Sequence, residues 1–195
     1  MTSTPIALVI CSTRQARVNP SIARYVLDVI SQLNHQETIE ILDIADHGPP
    51  LYDEPSVPSH LPEADPTPHY AHQHTRSWSA TVQRYSAFIF VTPQYNWSIP
   101  ASLKNALDYL FYEWKGKPAA IVTYGGRGGG KAADHLRAIL QGLRMKPVLT
   151  APGLVVKTAA MESGGNMENR ETWRGSEVEE KITAMFLELV EEMRV

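Results

Sequence analysis

The segment from Ser12 to Asn19, the first loop, combines hydroxyl and guanidinium groups, which are side-chain types that bind anions. It follows an apolar run and precedes a helical pattern whose start is indicated by Asn19 as N-cap and by Pro20 as the first helical residue. Backbone amides at such a helix start, together with Arg14 and Arg17, suit a dianionic phosphate. The first loop therefore predicts a phosphate site. The alternative is an ordinary capped turn with solvated arginines.

The second loop, Thr92 to Pro100, is unusually rich in aromatic residues. Tyr95 and Trp97 offer flat surfaces that can pack beside a planar ring, and Asn96 can hydrogen-bond to the edge of such a ring. The loop therefore predicts a planar ligand. The alternative is that the two aromatic side chains only cover the core.

The third loop, Tyr124 to Lys131, is rich in glycine, which lets backbone amides approach a ligand closely. No glycines stand at the G-x-G-x-x-G spacing, so the dinucleotide-binding fingerprint is absent. Gly125 to Lys131 does fit G-x-x-x-x-G-K, but Ala132 stands where a P-loop needs Ser or Thr to hold magnesium. A P-loop NTPase is therefore disfavoured.

Strand-like and helix-like patterns alternate along the chain and position these loops. The predicted strands are Ile6–Cys11, Thr38–Leu42, Ala87–Thr92, Ala119–Tyr124 and Val148–Thr150, with a possible extension at Leu154–Val156. Helical periodicity is present in Ser21–Leu33, after Pro100, around Leu136–Leu143 and from Ser176 onwards. This alternation predicts one α/β domain over residues 1–195, with a parallel sheet covered by helices on both faces. Ligands should bind at the carboxyl ends of its strands.

Composition excludes several other classes of protein. The net charge of −3 provides no basic field for nucleic acid. The single cysteine, Cys11, excludes an intrachain disulfide and a metal site built on several thiolates. No apolar run approaches the roughly 20 residues that span a bilayer, and no charged signal-peptide region precedes the first apolar run. We therefore expect a cytoplasmic protein with neither a nucleic-acid nor a membrane partner.

A proline-rich stretch from Asp46 to His69 lacks periodicity and predicts a long surface loop. His69, His72 and His74 lie at and beyond its end, which raises the hypothesis of a metal hydrolase. No carboxylate accompanies the three histidines in the sequence, so a solvated polar segment is favoured and no metal site is assigned.

Taken together, the loops resemble those of the NADPH-dependent FMN reductase family. The most specific match is T-P-Q-Y-N-W-S-I-P-A-S-L-K-N-A-L-D-Y-L at Thr92–Leu110, which resembles the family's T-P-E-Y-N-x-S-x-P-x-x-L-K-N-A-x-D-x-L. Similar segments occur in the family's order at Cys11–Asn19, Leu51–Pro55, Trp114–Pro118 and Tyr124–Gly126.

The resemblance implies a flavodoxin-like, doubly wound, five-stranded sheet, bound FMN and a homodimer. It also implies hydride transfer from NAD(P)H through FMN to a small acceptor such as a flavin or quinone. Carried over by motif, the residues holding the phosphate would be Ser12, Arg14, Arg17, Val18 and Asn19. Those bordering the isoalloxazine ring would be Pro93, Gln94, Tyr95, Asn96 and Trp97, with Tyr124, Gly125 and Gly126 on its pyrimidine side.

The chain departs from the family pattern at four positions. Cys11 stands where many members have Gly, and Gln94 stands where Glu is usual. Arg17 replaces a common Ser, and we expect its added charge to tighten phosphate binding. Trp97 replaces a common Gly and could narrow the acceptor pocket; the alternative is that it packs into the core or against the ring.

Because a flavin carries the redox chemistry, we assign no catalytic side chain. The nicotinamide is expected to leave before the acceptor stacks, which gives a substituted-enzyme mechanism. The alternative function is a flavodoxin-like electron carrier that docks a protein partner and has no NAD(P)H activity. The chain lacks the strong acidic excess that would support such docking. An aromatic stretch, Phe111–Trp114, adds to the expectation of a homodimer because one domain could leave it uncovered.

Overall fold

A computed structural model describes residues 4–157 and 168–195, and its centre is one parallel β-sheet. The strands are β1 (Ile6–Ile10), β2 (Ile39–Asp43), β3 (Ala87–Pro93), β4 (Pro118–Gly125), β5 (Lys146–Pro147) and β6 (Gly153–Val155). They lie in the order β2-β1-β3-β4, and both β5 and β6 pair with β4 in the fifth position. This is the flavodoxin-like order, so the predicted fold class is confirmed.

The fifth strand position differs from the prediction of a strand at Val148–Thr150. The amide of Val148 still donates to the carbonyl of Ala119 at 2.9 Å, but Leu149 leaves the sheet and is exposed. Prolines at positions 147 and 152 have no amide proton for the ladder, which is typical of an interrupted edge strand. The chain rejoins β4 through β6, one residue earlier than the predicted extension.

Helices cover both faces of this sheet. In chain order they are α1 (Asn19–Ser31), α2 (Ile44–His47), α3 (Gln73–Gln83), α4 (Ala101–Asp108), α5 (Gly130–Gly142), α6 (Glu168–Trp173) and α7 (Glu177–Glu192). Periodicity predicted α1, α4, α5 and α7. It missed α3 because the buried face of that helix includes the polar residues Thr75 and Ser79 beside Trp78 and Val82.

Alternate strand residues enter two separate hydrophobic cores. In β1, Leu8 and its like-facing neighbours pack with α1 and α7, whereas Ala7 and Val9 pack with α3, α4 and α5. Every residue of β1 is 4 % exposed or less, as expected for a strand covered on both faces. The connections that follow β1 and β3 therefore pass to opposite faces of the sheet.

The predicted surface loop after α2 is fastened to α4 and contains two short 3₁₀ turns, Pro58–His60 and Thr67–His69. The side-chain amide of Asn105 accepts from the amide of Tyr52 at 2.9 Å and donates to the carbonyl of Pro50 at 2.7 Å. The hydroxyl of Tyr109 donates to Asp53 Oδ1 at 2.8 Å. These contacts give the loop one fixed path beside the carboxyl edge of the sheet.

The same loop supplies the cap of α3. His72 is the N-cap residue but makes no capping bond of its own. Instead, the buried carboxylate of Glu54 accepts from the amides of Ala71 and His72 at 2.9 and 3.0 Å. Burial alone would raise the pKa of Glu54, but the neighbouring Thr75 side chain and the hydrogen bonds from these amides outweigh it and lower the pKa.

Glu54→Ala should lower the free energy of unfolding by about 1–2 kcal/mol at pH 7, because α3 loses its cap. Since the pKa of Glu54 is lowered on folding, its stabilisation is present above the unfolded value of about 4.3 and is lost as pH falls through the folded value. Urea denaturation between pH 3 and 8 checks this. Glu63→Ala, an exposed control, should change stability little. A difference between Glu54→Ala and wild type that persists undiminished at pH 3 would contradict the account.

Candidate functional site

The three loops meet at the carboxyl edge of the sheet, where β1 and β3 lie side by side. Because their connections leave towards opposite faces, this is the topological switch point at which open α/β sheets bind ligands. All three loops contribute to a cavity of about 40 Å³ there, lined by Arg14, Ala16, Arg17, Val18, Pro93, Gln94, Tyr95, Tyr124 and Gly125. The geometry thus brings together residues that the sequence places more than one hundred positions apart.

Asn19 braces the first loop from inside the protein. Its fully buried side chain accepts from the amide of Ser12 at 2.8 Å and donates to the carbonyl of Val91 at 2.9 Å. The prediction that Asn19 is the N-cap is wrong: α1 begins at Asn19, and the N-cap is Val18, without a side-chain capping bond. The long-range bonds to Ser12 in the first loop and to Val91 in β3 take the side-chain amide of Asn19 away from the helix end.

A hydroxyl pair joins the first loop to the second. The buried Ser12 Oγ lies 2.9 Å from the Tyr95 hydroxyl, and either atom can donate. The Arg14 guanidinium lies 5.9 Å from the centre of the Tyr95 ring. The two loops are therefore held in one arrangement around the cavity.

The two arginines of the first loop differ in their charge balance. Arg17 donates to both carboxylate oxygens of Asp43, at 2.7 and 2.6 Å, and this pairing is the main cause of its raised pKa. Arg14 is exposed and has no ion pair within residues 4–157 and 168–195. Asp43 thus offsets the charge of Arg17, which we expected to tighten phosphate binding. A role of Arg17 in phosphate binding stays a prediction.

Asp43 was missed in the sequence, although a signal for it exists. It follows the predicted strand Thr38–Leu42 directly and pairs in register with Ile10, the last residue of β1. In adjacent parallel strands, residues at the carboxyl ends lie at the same edge. A carboxylate at that position could have been recognised as a partner for an arginine of the first loop.

Tyr95 to Ser98 forms a tight turn in the second loop. Tyr95 and Ser98 exchange two backbone hydrogen bonds of 2.9 Å each. Asn96 and Trp97, at the two central positions, have φ angles of +46° and +67°. Positive φ at both positions is the mark of a type I′ turn, in which glycine is favoured. Trp97 thus occupies a strained position that suits the smaller residue.

The Trp97 side chain is 67 % exposed, so it does not pack into the core. The ammonium of Lys131 lies 5.9 Å from the centre of its ring. The alternative that Trp97 packs into the core is wrong, because a residue in the core would be buried. A role in limiting access to the acceptor site stays a prediction.

Gln94 connects the second loop to α5. Its side-chain oxygen accepts from the amides of Lys131 and Ala132 at 3.0 and 3.3 Å. The N-cap residue, Gly129, offers no side chain for this purpose. Gln94 therefore caps α5 from a distant part of the sequence.

Close packing explains two of the glycines in the third loop. Gly129 has a φ of +84°, and a Cβ there would lie 2.9 Å from the Cβ of Thr123. A Cβ on Gly128 would lie 3.2 Å from the carbonyl oxygen of Gly153. By contrast, a Cβ on Gly126 would meet nothing within 4 Å. Of the three, Gly126 is the position where a ligand could reach the backbone.

Tyr124 ends β4 and lines the same cavity. The residue is 3 % exposed, and burial raises the pKa of its phenol well above the ordinary value. The phenol is therefore protonated at neutral pH and presents a neutral hydroxyl group.

The histidines that suggested a metal site lie near a carboxylate after all. His74 Nε2 lies 2.9 Å from Asp53 Oδ1, and the rings of His72 and His74 stack 5.1 Å apart. His69 lies in the second 3₁₀ turn. In the described parts of the chain, no group of three or more His, Cys, Asp or Glu side chains is arranged to hold a metal ion.

The sheet order defines the class as a flavodoxin-like α/β protein, with a cavity at the switch point of the sheet. The model of the NADPH-dependent FMN reductase family matches residues 4–159. The chain is 41 % identical over 149 residues to an NAD(P)H-dependent FMN reductase of Saccharomyces cerevisiae, covering 73 % of this chain and 76 % of that protein. It is 36 % identical over 194 residues to an NAD(P)H-dependent FMN reductase of Nectria sp, covering 95 % of both chains.

Solved structures agree on the fold. The flavoenzyme NAD(P)H:acceptor oxidoreductase of Paracoccus denitrificans superposes with a TM-score of 0.68 at 17 % identity, covering 97 % of this chain and 99 % of that one. The chain therefore belongs to the NADPH-dependent FMN reductase family. None of the helices in the described residues is long and apolar enough to cross a membrane.

Trp97→Gly should raise the free energy of unfolding by about 0.5 kcal/mol or more. Left-handed backbone costs a non-glycine residue about 1–2 kcal/mol, and loss of the Lys131 contact offsets part of the gain. Urea denaturation measures the change. Leu187→Gly, which also removes an exposed apolar side chain but from within α7, should instead lower stability by about 1 kcal/mol. A loss of several kcal/mol for Trp97→Gly would contradict the exposed, strained position.

Proposed function

We propose that this protein is an NAD(P)H-dependent reductase that holds FMN at the switch point between β1 and β3. It passes reducing equivalents from NAD(P)H to a small acceptor such as a flavin or quinone. The observation that supports the proposal most strongly is the convergence of the three loops on one cavity. On the first loop, Arg14 has no ion pair with any residue that the structure describes. Bound FMN would supply the redox chemistry, because a flavin accepts a hydride and reduces a second molecule.

The first loop suits the phosphate group of FMN. Arg14 has no competing carboxylate within the described residues and can reach an anion at the cavity. Ser12 and Asn19 position the loop backbone, and Arg17 reaches the same cavity while it is paired with Asp43. Phosphate binding here depends on one uncompensated guanidinium and on backbone amides fixed in place.

The second and third loops suit the flat ring of the cofactor. Pro93, Gln94 and Tyr95 line the cavity, and the tight turn that begins at Tyr95 fixes the path of the second loop. Gly126 leaves its backbone open to a ligand. The neutral phenol of Tyr124 and the ring of Tyr95 add further surface. In this proposal the side chains bind and orient the ligands, and none acts as an acid, base or nucleophile.

Steady-state oxidation of NADPH and NADH by the purified, FMN-loaded protein tests this function. Turnover with a quinone or free flavin as acceptor is expected, with parallel-line kinetics of a substituted-enzyme mechanism. Protein that binds FMN but oxidises neither dinucleotide would instead support the electron carrier that docks a protein partner.

Arg14→Ala should weaken FMN binding by about 1.5–3 kcal/mol, the range for hydrogen bonds to charged groups. Titration of the apoprotein with FMN measures this, and the salt dependence of binding should fall as well. Arg24→Ala, which removes an exposed arginine on α1, is the matched control and should leave the affinity unchanged. Equal FMN affinities in Arg14→Ala and wild type would remove the first loop as the phosphate site.

We also propose a cytoplasmic homodimer in which each chain is a single domain over residues 1–195. The stretch Phe111–Trp114 is not left uncovered as expected, because Trp114 is 1 % exposed and packs with Phe88 at 5.0 Å between ring centres. Better support comes from Leu51 and Val57 on the long loop, which are 86 % and 53 % exposed. Sedimentation at micromolar concentration should give twice the mass of the chain; a monomer mass would overturn the dimer.

A further inference from the structure

A second cleft, with a volume of about 560 Å³, adjoins the cavity at the switch point and shares Gln94 with it. One wall is the exposed ring of Trp97, and the other is formed by the third loop and the first turn of α5. The cleft thus lies directly beside the cavity that we propose for the flavin.

The side chains lining this cleft carry a positive charge. Arg127, in the third loop, has no ion pair within the described parts of the chain. Lys131, in the first turn of α5, lines the same cleft. The sole carboxylate among the lining residues is Asp134, which lies 3.9 Å from the Lys131 ammonium and is 75 % exposed. An exposed pair at that distance is weak, so both cations are available to a ligand.

The positive charge does not belong to the helix end. Gln94 already occupies the amides of Lys131 and Ala132 at the start of α5. The attraction for an anion therefore comes from the long side chains of Arg127 and Lys131, which can follow a flexible ligand. Because Lys131 rests against Trp97 at 5.9 Å, an anion that draws it away would also free the indole face.

We propose that Arg127 and Lys131 bind a phosphate group of NAD(P)H in this cleft. The proposal rests on the proposed reductase function and assigns residues to its hydride donor. A nicotinamide dinucleotide carries phosphates at a distance from its reacting ring, so a cationic cleft beside the flavin cavity matches its shape and charge. The group bound is either the pyrophosphate, common to NADH and NADPH, or the 2′-phosphate, present in NADPH alone.

The test is the double variant Arg127→Ala/Lys131→Ala, with Arg24→Ala as the control for loss of an exposed cation. FMN content and melting temperature should match the wild type, because both side chains are exposed and lie outside the first loop. The KM of the double variant for NADPH, or for both NADPH and NADH, should rise about tenfold or more, because charge-assisted hydrogen bonds to the dinucleotide are lost. The kcat at saturating dinucleotide should stay within about twofold of the wild-type value. A rise for both dinucleotides identifies the pyrophosphate; a rise for NADPH alone identifies the 2′-phosphate.

A second measurement does not depend on turnover. Titration calorimetry with ADP and with adenosine 2′,5′-bisphosphate should show weaker binding of at least one probe to the double variant than to the wild type. Unchanged KM values and unchanged probe affinities would overturn the cleft as a phosphate site while leaving the reductase function intact. If the wild type oxidises neither dinucleotide, the proposed reductase function is wrong. Weaker binding of the probes to the double variant than to the wild type would still show that Arg127 and Lys131 bind a phosphate.

Discussion

The candidate site depends on the buried side-chain amide of Asn19. Its oxygen accepts from the first loop at Ser12, and its nitrogen donates to β3 at Val91. The amide thereby fixes the loop after β1 against the neighbouring strand at the switch point. With Ser12 held in place, its hydroxyl meets Tyr95 and links the loop to the tight turn after β3. Removing one partner from such a buried network leaves unpaired polar groups, which is costly.

The two arginines of the first loop differ in their ion pairing within the described part of the chain. Arg17 is held by Asp43 at the end of β2, so it ties the first loop to that strand end without adding net charge. Arg14 lacks a carboxylate partner in the described residues and supplies the positive charge that an incoming phosphate would meet. Two arginines three residues apart therefore differ: Arg17 holds the loop, and we propose that Arg14 attracts the ligand.

Much of the fold follows from local patterns in the sequence. Continuous apolar strands alternating with amphipathic helices predict a parallel sheet covered on both faces, and parallel strands place the three loops at one edge. The first residue of each loop is close to its predicted place because the end of a buried strand is marked by polar residues and by Pro93 or Gly125.

The features that were missed depend on contacts between distant residues. Glu54 caps α3, and Gln94 caps α5. Asn19 bonds to the first loop and to β3 instead of capping its own helix. The strand predicted at Val148–Thr150 fails because prolines flank it and β4 accepts the chain again only at Gly153. Periodicity and propensity describe neighbours in sequence, so they do not reveal side chains that satisfy backbone groups elsewhere in the fold.

The central claim is that the first loop binds the phosphate of a flavin nucleotide. The most direct measurement compares the affinities of the wild-type apoprotein for FMN and for riboflavin, which has the same ring and no phosphate, by quenching of flavin fluorescence. The account predicts that FMN binds about tenfold to a hundredfold more tightly, and that the difference narrows in high salt. Equal affinities for the two flavins at low salt would contradict it.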